Sequence, residues 1–338
     1  MIAGMATAMH LSCPGAAAGP RRKSDTASAA SVWRRSITAG AEVPMRADML
    51  MTYRRHGIVH TVKAHVVLGP HGASRVEFLT PTEVQGRVIC SDGQSAWHYD
   101  PHTSALEETR LSAASEQRDR SVQQLIETNY RVNIVSPSVA IAGRQCWVLD
   151  LLPVHPGKSR QRRWIDRITS RTIRIETTYT DNVVARMVMY TPTSLPATIT
   201  ANLFVPQNGK TTHREAATIT LDPHSELEAA KVPAKAPLGF RRISAAISSL
   251  DGRPAQQLLY TDGIETVSIF VQKETGAQPV PSGGWSKLML PGLIAFQNTD
   301  HHVYALSWAS NKFQFTAVSH ITPEAMRRFV IELNKSIQ

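Results

Sequence analysis

The stretch AGRQCWVLDLLPVHPGKSRQRRWIDRITSRTIRIETT, residues 142–178, decides the fold. Its apolar residues fall in three short runs near 145–152, 160–166 and 171–179, which is the pattern of consecutive β-strands joined by turns. A succession of short strands of this kind is typical of an antiparallel sheet that curls or closes to hide its edges.

The same stretch is strongly basic, with Asp166 as the single acid between Lys158 and Arg174. On two strands and their turn, its arginines are expected to form a positive edge or rim that binds an anion, such as a lipid phosphate or an acidic partner segment. The alternative is a solvated edge strand whose charges prevent aggregation. Nucleic acid is not expected, because no aromatic stacking pattern or reading helix accompanies the charge. The candidate anion-binding or partner-binding residues are Arg160, Arg162, Arg163, Arg167, Arg171 and Arg174.

Short strands continue on both sides of this stretch. Residues 45–53 alternate between two faces, as a half-buried strand does. Residues 113–127 have apolar side chains spaced for one face of a helix. Residues 40–200 are therefore expected to form a curved, barrel-like sheet with one or two covering helices. The remaining predicted strands lie near 58–67, 74–79, 86–90, 95–99, 104–111, 131–135, 138–142 and 183–190.

A second unit follows a segment rich in Pro, Lys, Thr and Ala at 206–237, which is typical of a strand followed by a linker. Seven further strands are predicted between 240 and 319. The chain then closes with a helix, because Thr322 is a suitable N-cap, Pro323 suits the first helical position, and apolar residues from Met326 to Leu333 form one stripe. This unit is expected to be α+β, with the helix packed on an antiparallel sheet.

Met and aromatic side chains recur at positions of the first sheet that the alternation assigns to its interior. A curved sheet lined by flexible thioethers and flat rings can hold an acyl chain. The alternative is an ordinary filled core under a helix. The lipid-cavity candidates are Met49, Met51, Tyr53, Trp97, Tyr99, Trp147, Leu149, Trp164, Ile173, Ile175 and Met187.

Composition narrows the function classes. The 338 residues carry 37 Lys and Arg against 27 Asp and Glu, a net charge of +10 that favours an anionic partner. The three cysteines are too few for a disulfide scaffold and lack zinc-type spacing. Cys90 and Cys146 are expected to be two buried thiols, and the alternative is one disulfide between two strands if the chain is exported. His301 and His302 are adjacent, so on a strand they point to opposite faces and predict no metal site. No catalytic or cofactor motif is found, so neither an enzyme nor a cofactor is expected.

The first twenty residues are uncharged and rich in Ala, Met and Gly, with Arg21, Arg22 and Lys23 after them. A secretory signal has its charge before the apolar core, so residues 1–25 are expected to be either a signal or a disordered segment. No interior stretch reaches the roughly 18 apolar residues of a membrane span.

Four motifs in order resemble one family. Residues 142–178 resemble the segment "gR-x-hhhLdh-P … hWhD … T-h-h-h-x-x-E" of the MucB/RseB family and of the related LolA-like sheets, although Ser170 stands where a turn glycine is usual. VICSDGQSAWHYDP (88–101) is similar to a LolA-like hairpin. APLGFRRIS (236–244) with QLLYTDGIETVSIFVQ (257–272) resembles the start of the MucB/RseB C-terminal domain, and AVSHITPEAMRRFVIEL (317–333) its end.

The resemblance implies an α+β, mainly antiparallel fold: a LolA-like half-barrel with covering helices at 26–205, a linker at 206–236 and a smaller C-terminal domain at 237–338. It also implies a non-enzymatic periplasmic protein. In that family the protein binds the extracytoplasmic part of an anti-sigma factor, and lipid-type or lipopolysaccharide-type ligands release it. Whether the protein forms a homodimer is left open by the resemblance.

Two other classes also stay open. A LolA-like lipoprotein or lipid carrier would use the same hollow sheet, but it needs no second domain. A general lipid-binding or glycan-binding module of the cell envelope is the other reading.

Overall fold

The computed structural model describes residues 27–55, 57–110, 114–206, 210–213, 232–250, 253–274, 284–300 and 303–337. The segment at 1–25, predicted to be a signal or disordered, and the His301–His302 pair lie outside the described residues. Within the described ranges, no helix is long and apolar enough to span a membrane.

The first part of the chain forms a twelve-stranded sheet with the strand order β12-β6-β5-β4-β3-β2-β1-β11-β10-β9-β8-β7. All its pairs are antiparallel except β12 with β6. The strands are β1 (Met45–Arg55), β2 (Ile58–Leu68), β3 (Ser74–Thr80), β4 (Val88–Ser91), β5 (Ser95–Asp100), β6 (Ala105–Arg110), β7 (Tyr130–Ile141), β8 (Arg144–Pro153), β9 (Arg160–Asp166), β10 (Thr172–Thr178), β11 (Val184–Ser194) and β12 (Lys210–His213).

The three strands predicted from residues 142–178 are confirmed as β8, β9 and β10. The two strands predicted at 131–135 and 138–142 are a single strand, β7, whose pairing with β8 slips between Ile134 and Ser136 and again between Ser136 and Val139. β7 ends the strand order, and a sheet edge with bulges is where a proline such as Pro137 is tolerated.

Two helices lie on this sheet. α1 (Ala29–Glu42) was not predicted, whereas α2 (Ala114–Asn129) matches the helix predicted at 113–127. The Ser28 side chain caps α1 by accepting from the Ser31 amide at 3.2 Å. α1 buries Val32 and Trp33 against Leu149 on β8, with Ile126 of α2 in the same cluster. This apolar cluster holds both helices on one face of the sheet.

The rest of the chain forms a seven-stranded antiparallel sheet with the order β13-β14-β15-β19-β18-β17-β16. A final helix, α3 (Pro323–Ile337), packs Met326, Phe329, Val330 and Leu333 into its core, as predicted. Thr322 Oγ1 accepts from the Ala325 amide at 3.3 Å, so the predicted N-cap is confirmed. The strands are β13 (Arg241–Leu250), β14 (Arg253–Thr261), β15 (Thr266–Lys273), β16 (Ser286–Leu290), β17 (Leu293–Asp300), β18 (Val303–Ser310) and β19 (Phe313–Ser319).

Both sheets are open, because each strand order ends in two strands that do not pair with each other. The predicted α+β, mainly antiparallel fold with a helix-covered first sheet is confirmed. One expectation about the basic stretch is wrong. β9 and β10 are interior strands of the sheet, so the arginines between 160 and 174 form neither a positive edge nor a protected edge strand.

Candidate functional site

A groove of about 830 Å³ lies between the two helices and the first sheet. We call it the helix groove. α1 and α2 form one side of it, and β9, β10 and β11 contribute its floor. The lining includes Trp33, Ile37, Ile126, Arg163, Arg171, Ile175 and Tyr190. The groove therefore combines apolar walls with two arginines, Arg163 and Arg171, and one carboxylate, Glu42.

Arg171 joins the floor of the groove to α1. Its Nη1 donates to the carbonyl of Ala39 at 2.9 Å and to that of Gly40 at 2.5 Å, and only 4% of the residue is exposed. These carbonyls belong to the last turn of α1, which has no basic residue of its own. A cation at this position offsets the negative end of the helix dipole. Burial lowers the pKa of Arg171, although a guanidinium stays charged at neutral pH.

Arg163 is the second cation of the floor. Its Nε and Nη2 donate to Gln161 Oε1 at 3.0 and 2.8 Å, and its guanidinium lies 4.7 Å from the centre of the Trp33 ring on α1. Burial lowers its pKa to about 10. Among the described residues, no carboxylate lies within ion-pair distance of Arg163. A half-buried cation without a nearby carboxylate suits an anionic ligand group, because such a group would supply the countercharge.

The other four arginines of the predicted anion site do not belong to the lining of the helix groove given above. Arg162 forms a two-pronged ion pair with Asp150 at 2.6 and 2.8 Å. Arg174 pairs with Glu176 and stacks 4.7 Å from the Trp164 ring. Arg167 lies 4.5 Å from the Trp147 ring, and Arg160 is a partly exposed residue at the start of β9.

The lipid-cavity candidates do not share one face, so the prediction of a common interior is wrong. Residues that are paired across neighbouring strands point to the same face of the sheet. The helix-covered face therefore includes the chain of paired residues Leu149, Arg163, Ile175, Val188 and Met51. The six candidates on that face are Met49, Met51, Tyr53, Trp147, Leu149 and Ile175. Of these, Ile175 lines the helix groove, and Trp147 and Leu149 fill the core beneath α1.

Trp97, Tyr99, Trp164 and Met187 lie on the opposite face. Trp164 pairs with Val148, and Met187 with Thr52, both one residue out of phase with the helix-covered positions. Trp97 is instead packed with Cys90 and Leu106 in a small separate cluster. Ile173 lies where the pairing of β9 and β10 slips, in a cluster with Met45 and Ala47. Alternation along one strand could not show which candidates share a face. That depends on the pairing register between neighbouring strands.

Sequence reasoning missed the helix that closes the groove. Trp33, Ile37 and Gly40 of α1 line it, yet α1 was not predicted. The signals were present: Ser28 as a cap, followed by apolar residues at helical spacing up to Ala39.

Cys90 and Cys146 are both free and buried, as expected. Burial raises the pKa of the Cys90 thiol and raises that of Cys146 to about 11. No group of His, Cys, Asp or Glu within the described ranges is arranged to hold a metal ion.

No protein-family model matches this chain, and no curated protein matches its sequence. Solved structures do match its fold. The structure of the Pseudomonas aeruginosa MucA/MucB complex aligns with 89% of this chain and 96% of that chain, at 14% identity and a TM-score of 0.59. A crystal structure of MucB in complex with MucA(peri) aligns with 90% of this chain and 97% of that chain, at 14% identity and a TM-score of 0.58. The chain has the MucB fold.

The MucB fold extends over both sheets, because an alignment with 89% of this chain is longer than either sheet with its helices. The predicted resemblance to the MucB/RseB family is therefore confirmed at the level of the fold. A LolA superfamily protein, NE2245 from Nitrosomonas europaea, aligns with 53% of this chain and 98% of that chain, at 11% identity and a TM-score of 0.27.

Proposed function

We propose that this chain is a non-enzymatic periplasmic regulator that binds the extracytoplasmic part of an anti-sigma factor and responds to lipid-type signals of envelope damage. The observation that carries the proposal is the MucB fold over both sheets, since the matching MucB structures hold MucA or MucA(peri). A carrier of lipoproteins or lipids needs only the first sheet and its helices, so the second sheet favours the regulator.

The helix groove supports the lipid part of the proposal. Its volume of about 830 Å³ falls within the range of small-molecule sites. Apolar lining from Ile37 and Ile175 suits an acyl chain, and Arg163 and Arg171 suit a phosphate or carboxylate headgroup. The ligand that fits this combination is an anionic amphiphile, such as lipopolysaccharide or an acylated fragment.

Ligand and partner are coupled by linkage. A lipid that binds the partner-free state more tightly than the partner-bound state must weaken the complex by the ratio of its two affinities. α1 is the element of the groove that can carry this difference, because it is held to the sheet partly by the Arg171 contacts that a headgroup would contest.

The test is affinity capture of the tagged full chain from its own envelope fraction, with co-purifying proteins and lipids identified by mass spectrometry. We expect a single-span anti-sigma factor, which is lost when lipopolysaccharide or acylated fragments are added. Recovery of assorted lipoproteins without an anti-sigma factor would overturn the proposal and support the carrier.

A variant pair tests the groove itself. Arg163→Met is expected to retain the partner but to resist release by the anionic amphiphile. Arg75→Met is the control, since Arg75 lies on β3 and is not part of the described groove lining. If the amphiphile releases the partner equally from the wild type and from Arg163→Met, the lipid binds elsewhere, even though capture of the partner still supports the regulator.

A further inference from the structure

The two sheets are joined by a buried cluster of polar side chains, which we call the clamp. Lys158, in the loop between β8 and β9, places its Nζ 2.7 Å from Oδ2 of Asp262, in the turn between β14 and β15. Both side chains are fully buried. The same Nζ also donates to the Leu238 carbonyl and lies 4.4 Å from the centre of the Phe240 ring. One ammonium of the first part of the chain thus binds two segments of the second.

α2 and β7 complete the clamp. Tyr130 donates its hydroxyl proton to Asp262 Oδ2 at 2.9 Å. Asn129 Nδ2 donates to the carbonyls of Asp262 and Gly239 at 2.9 and 3.0 Å. Asp262 Oδ1 in turn accepts from the amides of Ile264 and Glu265 at 2.9 and 2.8 Å. Every oxygen of the Asp262 carboxylate is therefore paired.

Glu265 is the exception among the clamp's acidic groups. It is 7% exposed, and Ser159 beside its carboxyl acts to lower the pKa of that group. Its other oxygen, Oε1, has no hydrogen-bond partner among the described residues. Lys158, the one buried lysine of the described residues, is already paired with Asp262. Burial raises the pKa of Glu265, the Asp262 charge raises it further, and Ser159 and His320 act against the rise.

Other titratable groups face this carboxyl from each element packed around it. Lys158 approaches from the β8–β9 loop, Tyr130 from β7, Tyr179 from the β10–β11 connection and His320 from the end of β19. Two further groups act on Lys158 rather than on Glu265 directly, namely His155 and Arg328.

We propose that Glu265 makes the contact between the two sheets proton-controlled: the neutral carboxyl closes the clamp, and its ionised form loosens it. Ionisation puts a second negative charge beside Asp262, with one ammonium to offset both and with one oxygen left buried and unpaired. Separation of the two sheets at this point would expose that oxygen to water, so ionisation favours an opened contact.

The direction with pH follows from linkage. A carboxyl that holds its proton more tightly in the closed state binds more protons there than in the open state. The closed clamp is then most stable below the ordinary pKa of a glutamate, and it loses stability as the pH rises through the raised pKa. This pH dependence requires neither a lipid nor an anti-sigma factor. Its test is therefore independent of the proposed function.

The test is hydrogen exchange of the full chain, measured by mass spectrometry from pH 5 to pH 8 and corrected for the intrinsic exchange rate. In the wild type we expect protection of peptides covering 157–160 and 262–266 to fall with rising pH, by about tenfold for each unit of pKa rise. Peptides from β19 serve as the internal reference. In Glu265→Gln, a neutral near-isostere, protection at pH 8 should match that of the wild type at pH 5 and stay constant. Glu83→Gln, on an exposed turn of the first part, should behave like the wild type.

The same pH dependence in Glu265→Gln as in the wild type would overturn the proposal. So would a loss of protection at β19 in parallel with the clamp peptides, since that result would report general unfolding rather than a local opening.

Discussion

Lys158 Nζ and Asp262 Oδ2 lie 2.7 Å apart with both side chains fully buried, although they come from opposite sides of the linker between the two sheets. An ion pair removed from water is costly to form and more costly to break, because the remaining partner is left charged and buried. The pair therefore fixes the relative position of the two sheets, and its loss should lower the stability of both.

Removal of one partner gives the first prediction. Lys158→Met should destabilise the chain by about 3–5 kcal/mol, since Asp262 then keeps an uncompensated charge. The measurement is denaturant unfolding followed by circular dichroism. Lys335→Met is the control, because Lys335 pairs with Glu332 on the exposed side of α3 and should change stability by less than about 1 kcal/mol.

The double variant Lys158→Met with Asp262→Leu should recover part of the loss, because it removes the Asp262 charge that Lys158→Met alone leaves uncompensated. A double variant no more stable than Lys158→Met alone would mean that the other contacts of Asp262, with Tyr130 and Ile264, matter more than the pair.

A glycine gives the second prediction. Gly263 has a φ of +106°, and a Cβ added there would lie 2.5 Å from Ile126 Cγ1 and 2.9 Å from the Ile126 amide nitrogen on α2. Gly263→Ala should push the β14–β15 turn off α2 and cost about 2 kcal/mol or more, from strain and lost contacts together. Gly292→Ala is the matched control, since Gly292 also has a positive φ, +71°, but has open space around it. Equal losses in the two variants, read from denaturation midpoints, would show that strain alone matters.

Much of the fold could be predicted from the sequence because its signals are local. The three strands of residues 142–178 and the final helix each follow from alternation, helical spacing or a cap, and each is found within a few residues. The motifs at 236–244 and 257–272 were informative for a different reason. A Cβ added at Gly239 or Gly263 would clash with Asn129 or Ile126, so these glycines permit the close contact between the two parts of the chain.

The helix groove and the clamp could not be predicted in this way. Whether Trp164 shares a face with Leu149 depends on the pairing of β8 with β9, which places them on opposite sides. Lys158 looked like one more member of a basic run, yet its partner Asp262 lies 104 residues away in the sequence. Contacts at such separations leave no periodic trace, so they appear only when the chain is folded.

Ser170 gives the third prediction. It occupies the turn between β9 and β10 with a φ of +60°, a conformation that costs a residue with a Cβ about 1 kcal/mol. Ser170→Gly should therefore stabilise the chain by about 1 kcal/mol. Ser286→Gly, in the extended strand β16, should instead lower stability slightly, because glycine loses more backbone entropy there. Thermal unfolding of both variants checks the sign, and a destabilised Ser170→Gly would contradict the argument.

Arg171 gives the last prediction, which concerns how α1 is kept over the groove. Its guanidinium serves two carbonyls of the last turn of α1, and those carbonyls would lose their cationic partner in Arg171→Met. We expect the substitution to lower the stability of α1 by about 1–3 kcal/mol. Hydrogen exchange should become faster in residues 36–43, whereas β19 should keep its protection. Arg167→Met is the matched control from the adjoining turn, since Arg167 contacts Trp147 and the Pro137 carbonyl rather than α1. Because α1 carries Trp33 and Ile37 into the groove, Arg171→Met should also weaken binding of dodecyl phosphate, measured by calorimetry. Unchanged exchange in 36–43 would show that apolar packing alone holds α1 in place.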